Sequence, residues 1–182
     1  MKRFLPYLTI IATLFFTAVV VVLLFAAPDI DPMHHGISFY ALTGYRLIIN
    51  VALALVGASG ISLAVALWPS ILSVTGRTGL VLLIAWGIAS ILAGAFPLDA
   101  PDAVPTLSGS IHNMAGLNFL LVVPAALLIE LAHSSLVPPT NHRSNTYWVA
   151  WLILASSILL FTFNSPLSYV GIGGLVQRLY WL

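Results

Sequence analysis

The sequence predicts an all-α fold, a polytopic membrane protein built as a bundle of six transmembrane helices, and three observations carry that prediction. Of its 182 residues, 60% are hydrophobic and only 6% charged, where a soluble domain carries roughly a quarter charged residues. The mean hydropathy is +1.08. The apolar runs are continuous rather than alternating, which selects helices over a β-barrel, because lipid leaves any unpaired backbone group without a partner.

A hydrocarbon core about 30 Å thick needs about 20 helical residues, and that ruler marks each span in turn. Residues 7–27 follow Met1, Lys2 and Arg3. The run is longer than the apolar core of a signal peptide, and Phe25 stands where cleavage after Ala27 wants a small side chain, so an uncleaved first span is expected. Pro28 stops it, and residues 29–36 form a polar loop. The next run, residues 38–68, is too long for one crossing. Residues 38–45 are therefore placed in the headgroup region and residues 46–68 in the second span, closed by Pro69. Residues 70–79, with Arg77, form a loop before a third span at 80–96, which ends at Pro97. A fourth span at 110–133 starts at Ser110 as N-cap and is kinked at Pro124. Pro138 and Pro139 mark a loop, residues 147–163 a fifth span, and residues 169–182 a sixth.

Threaded this way, Lys2, Arg3, Arg77 and Arg143 fall on one side and Asp29, Asp31, Asp99 and Asp102 on the other. The positive-inside rule then puts both termini in the cytoplasm. Trp68, Trp148, Trp151 and Trp181 gather at the cytoplasmic boundary as an aromatic belt. Small residues recur at helical spacing, as Ala54, Ala58, Ser62 and Ala66 on span two and Gly87, Ser90 and Gly94 on span three. Such stripes let backbones approach closely in lipid, so spans two and three are expected to pack tightly.

A formal charge of +1 offers no basic patch for nucleic acid. The chain has no cysteine, which excludes thiolate catalysis, disulfides and cysteine-ligated metals. Two histidines on one span cannot ligate haem across a bundle, and no cofactor is predicted. Membrane lipids are the expected partners, with a larger membrane complex or a homo-oligomer as further options.

Ionisable side chains concentrate at the outer face. Arg46 begins span two, with Asn50 one turn on, and a carboxylate such as Asp99 is the expected partner for an arginine at that depth. Asp99 and His112 are the candidate catalytic pair, with His112 as base and Asp99 orienting it. Asp99, Asp102 and His112 are a minor metal candidate whose spacing matches no metal motif. Arg178, four residues from Leu182, is expected to snorkel to the cytoplasmic interface or, if the helix continues beyond Leu182, to sit deeper as a functional candidate.

Asp31-Pro32 with Gly36-Ile37-Ser38, then Phe96-Pro97-Leu98-Asp99, Thr106, Gly109, Ile111-His112 and Gly174 to Arg178 resemble, in order and spacing, the membrane proteins of domain of unknown function 998. The resemblance spans nearly the whole chain and, since those proteins are bacterial and archaeal, implies a prokaryotic inner or cytoplasmic membrane. It implies a six-span bundle with recurrent polar positions at Ser38, Asp99, His112 and Arg178, and it implies no activity. It also implies an apolar helix continuing beyond Arg178, whereas this sequence stops at Leu182.

The expected function is that of a non-catalytic accessory subunit of a membrane complex or an outer-leaflet lipid binder, with Arg46, Ser38, Asp99, His112 and Arg178 as ligand-binding candidates. One alternative is an outer-leaflet enzyme acting on a lipid or lipid-linked substrate, and another is a small-solute or ion transporter. The transporter is disfavoured because the middle of every span reads as apolar or small.

Overall fold

The computed structural model describes residues 5–134 together with Gly174, Leu175 and Arg178, and these residues are helical or irregular with no strand among them. Helix α1 is Leu5–Ala26, α2 Arg46–Leu67, α3 Val74–Ala95, α4 Leu107–Gly116 and α5 Phe119–Ser134. A 3-10 helix, Ile37–Leu42, lies between α1 and α2. Taking α4 and α5 as one interrupted crossing, four segments among the described residues are long and apolar enough to span a bilayer. The expected spans at 147–163 and 169–182 lie outside the described residues, apart from those three positions.

Each crossing packs on the next. Phe16, Val19, Val20 and Leu23 turn one face of α1 inward, while Leu14, Val22 and Phe25 stay exposed. A helix apolar on all sides suits contact with lipid on one face and protein on the other. The Tyr45 hydroxyl donates to the Ala26 carbonyl at 3.2 Å, which ties the start of α2 to the end of α1.

The α2–α3 contact is as close as the sequence predicts, with one correction. Gly87, Ser90 and Gly94 do face α2, and a Cβ on Gly57 would lie 2.5 Å from the Gly87 carbonyl oxygen. The α2 stripe, however, is Leu53, Val56, Gly57, Gly60 and Ala64, whereas Ala58 is exposed and Ser62 and Ala66 are only part-buried. Gly57 and Gly60 let the carbonyl of Gly87 and the ring of Trp86 fill space that larger side chains would occupy.

Helix α3 begins six residues before the expected boundary. Ser73 caps it by accepting from the Gly76 amide. Gly76 and Gly79 look like loop residues in sequence, but they are contact residues. A Cβ on Gly79 would lie 2.8 Å from the Ala125 carbonyl oxygen, and one on Gly76 2.5 Å from the Ala132 methyl. Arg77 lies in the first turn of α3, its guanidinium 5.8 Å from the Trp68 ring and its Nε donating to the Ile71 carbonyl.

The fourth crossing also differs from expectation. Thr106 rather than Ser110 is its N-cap, and the interruption falls at Leu117 and Asn118 rather than at Pro124, which lies inside α5. Across the interruption the amides of Leu117, Asn118, Leu120 and Leu121 reach back three residues instead of four. Asn118 is buried, and its amide donates to the Ser90 hydroxyl at 2.8 Å, which donates to the Trp86 carbonyl at 2.8 Å. The middle of the bundle therefore holds a polar pair, contrary to the expectation of apolar or small residues throughout.

Candidate functional site

The loops that carry Asp29, Asp31, Asp99 and Asp102 lie at one end of the four crossings, called here the acidic end, and Arg77 starts α3 at the other. At the acidic end the motif residues of the 96–112 segment form a single capping device. Asp99 accepts the Thr106 amide and the Thr106 hydroxyl, each at 2.8 Å. The same hydroxyl oxygen accepts the Gly109 amide at 3.0 Å. A hydroxyl carries one donor and two lone pairs, so Thr106 can do both. Gly109 is buried, and the Asp99 carboxylate occupies the volume that any Cβ at Gly109 would need. Ser108 completes the turn by donating to the Pro97 carbonyl at 3.2 Å.

This arrangement reassigns Asp99. Its oxygens hold the start of α4 rather than a distant cation, so the expected Arg46–Asp99 ion pair is not formed. Arg46 is the exposed first residue of α2 and makes no ion pair among the described residues.

His112 begins the second turn of α4 and is 2% exposed. Its Nδ1 lies 2.9 Å from the carbonyl oxygen of Phe96, at the C-cap of α3. The backbone, not Asp99, therefore orients the imidazole. The Nε2 atom is buried with no hydrogen-bond partner among the described residues. Asp99, Asp102 and His112 do not form a metal cluster, since no group of three such ligands is gathered among the described residues.

Arg178 is also placed differently from expectation. It is 6% exposed and lies against the acidic-end loop instead of reaching the opposite interface. Its Nη1 donates to the carbonyls of Pro32 and His35, both at 2.6 Å, and to Gly174 at 3.1 Å. Its Nη2 makes a long contact of 3.4 Å to the Tyr40 hydroxyl, and the cation sits 5.8 Å from the Tyr40 ring. The bilayer ruler misplaced it because Gly174 packs directly on the Pro32 and His35 carbonyls, which sets the residue one turn later still at loop depth. Among the described residues no carboxylate pairs with Arg178, and its buried Nε has no partner.

The remaining candidates are peripheral. Ser38 is part-buried in the 3-10 helix beside fully buried Tyr40. Asp31 accepts the Met33 amide at 2.8 Å and contacts His34 Nδ1 at 2.5 Å, a local loop pair. The Met33 amide first, and His34 second, hold the Asp31 carboxyl below its usual range. Sequence reasoning missed Tyr40, Asn118 and the Phe96 carbonyl. Asn118 had a visible signal, being a lone amide in the middle of an apolar run. A backbone carbonyl has none.

The family model described as protein of unknown function (DUF998) matches residues 10–182. No curated protein and no solved structure matches the chain.

Proposed function

The chain belongs to this family of unknown function, and we propose that it is a non-catalytic membrane protein that binds anionic lipid headgroups at its acidic end, the outer leaflet by the charge pattern of the sequence. The observation that carries this proposal is Arg178. A buried cation is costly without a counter-charge, and three carbonyl dipoles offset that cost only in part. All of those bonds fall on Nη1. The Nε and Nη2 edge, the fork that matches two oxygens of a phosphate or carboxylate, keeps its Nε hydrogen uncommitted among the described residues. Tyr40, which accepts from Nη2, retains its own hydroxyl hydrogen for a second donation to the same anion.

The test is native mass spectrometry of the detergent-purified protein titrated with phosphatidylglycerol or phosphatidylcholine. The wild type is expected to retain phosphatidylglycerol preferentially. Arg178→Gln is expected to weaken that binding roughly 10- to 100-fold, the loss of a charge-assisted pair worth about 1.5–3 kcal/mol. Arg178→Lys should fall between, because an ammonium keeps the charge but lacks the fork. Equal phosphatidylglycerol affinity in the folded lysine and glutamine variants overturns the proposal.

A further inference from the structure

His112 has a feature that lipid-anion binding at Arg178 does not use. A carbonyl oxygen can only accept, so the 2.9 Å contact with Phe96 requires the hydrogen on Nδ1. A neutral imidazole carries one N–H, and its Nε2 is then a bare lone pair. That lone pair is buried and has no partner among the described residues. An unmet buried acceptor is destabilising, a cost that a leucine at this position would avoid.

Three hydroxyls of the α4 capping turn are already committed. The Thr106 hydroxyl donates to Asp99, Ser108 to Pro97 and Ser110 to its own helix at the Thr106 carbonyl. None of these three hydroxyls is free to serve Nε2. A bare lone pair repels phosphate and carboxylate, so the anion that suits Arg178 does not suit His112. A metal ion wants further ligands, and no group of three is gathered among the described residues. A neutral hydroxyl meets the requirement, since it donates one hydrogen and brings no charge into the bundle.

We propose that His112 is the acceptor of a second ligand site, in which Nε2 takes a hydrogen bond from the hydroxyl of a lipid alcohol. The ligand is thus defined by its hydroxyl, which either a glycerol headgroup or a free lipid alcohol supplies. Tautomer and partner set the outcome together: the Phe96 carbonyl keeps the hydrogen on Nδ1, and the lipid hydroxyl completes the ring. The site is independent of Arg178 and survives even if that arginine binds no anion.

The test is nitrogen NMR of the full-length protein with labelled histidine, in nanodiscs of phosphatidylcholine alone, with phosphatidylglycerol, or with diacylglycerol. The His112 signal is assigned by replacing His34, His35, His133 and His142 one at a time, so that no variant of His112 need fold. The expected result is a neutral ring protonated at Nδ1 in all three, with the Nε2 resonance moving toward its hydrogen-bonded position when a hydroxyl lipid is present. A shift with phosphatidylglycerol alone names the headgroup as source, and one with diacylglycerol alone the free alcohol. A ring protonated at Nε2, a doubly protonated ring, or an Nε2 resonance identical in all three membranes overturns the proposal.

Discussion

Gly109→Ala tests how the acidic end is built. The new methyl would enter the volume held by the Asp99 carboxylate, so the carboxylate must leave Thr106. Two hydrogen bonds to a charged acceptor are then lost, and the N-cap of α4 loses the group that orients its hydroxyl. Charge-assisted bonds are worth about 1.5–3 kcal/mol each when buried. Asp99 is only part-buried and Thr106 is exposed, so solvent screening reduces the pair to about 2 kcal/mol in total. A weakened N-cap adds about 1 kcal/mol, and the better helix propensity of alanine returns about 0.5–1 kcal/mol. The expected net loss is about 2 kcal/mol, read by equilibrium unfolding in mixed micelles with tryptophan fluorescence. Gly116→Ala is the control, since a Cβ there meets nothing within 4 Å. It should leave stability unchanged or raise it by up to about 1 kcal/mol. The double-mutant cycle with Asp99→Ala decides the mechanism. With the carboxylate gone, Gly109→Ala should cost about nothing. A cost unchanged in the Asp99→Ala background refutes the proposed steric coupling.

Other expectations follow from single contacts. Ser90→Ala strands the Asn118 amide in the middle of the bundle and should cost about 1 kcal/mol in the same unfolding assay, whereas Ser90→Ala combined with Asn118→Leu should recover most of it. Gly57→Leu forces α2 away from the Gly87 carbonyl and should lower stability by at least about 2 kcal/mol, where Ala58→Leu, on the exposed side, is expected to be neutral in thermal melts. The depressed Asp31 carboxyl stabilises its loop turn at pH values above its ordinary 3.8, and that contribution disappears as pH falls through the lower folded value. Carbon NMR of the Asp31 side chain should show the depression surviving His34→Ala in part, because the Met33 amide is its first cause.

Much of the chain's architecture was legible before any coordinates. The ends of the first two crossings were readable because Pro28 and Pro69 stop the apolar runs that precede them. Gly87, Ser90 and Gly94 announced a close helix contact through spacing alone. The start of α3 was not readable, since Gly76 and Gly79 serve a tight contact with α5 and glycine in sequence does not distinguish contact from turn. The interruption at Leu117 and Asn118 was missed for a related reason: proline advertises a break, but the bonding partner of a buried asparagine lies 28 residues away.

The candidate site divides in the same way. Asp99, His112 and Arg178 were identifiable as residue types, because ionisable groups in so apolar a chain stand out by their desolvation cost. Their roles were not. Composition and span length alone determined that the chain is helical and suited to a membrane. Only tertiary structure decided that Asp99 holds Thr106, that the Phe96 carbonyl sets the His112 ring, and that Arg178 meets the Pro32 and His35 carbonyls. Burial acts on each residue separately and so leaves its mark on composition. Hydrogen bonding is directional, and three of these four partners are backbone atoms, which every residue carries and no sequence distinguishes.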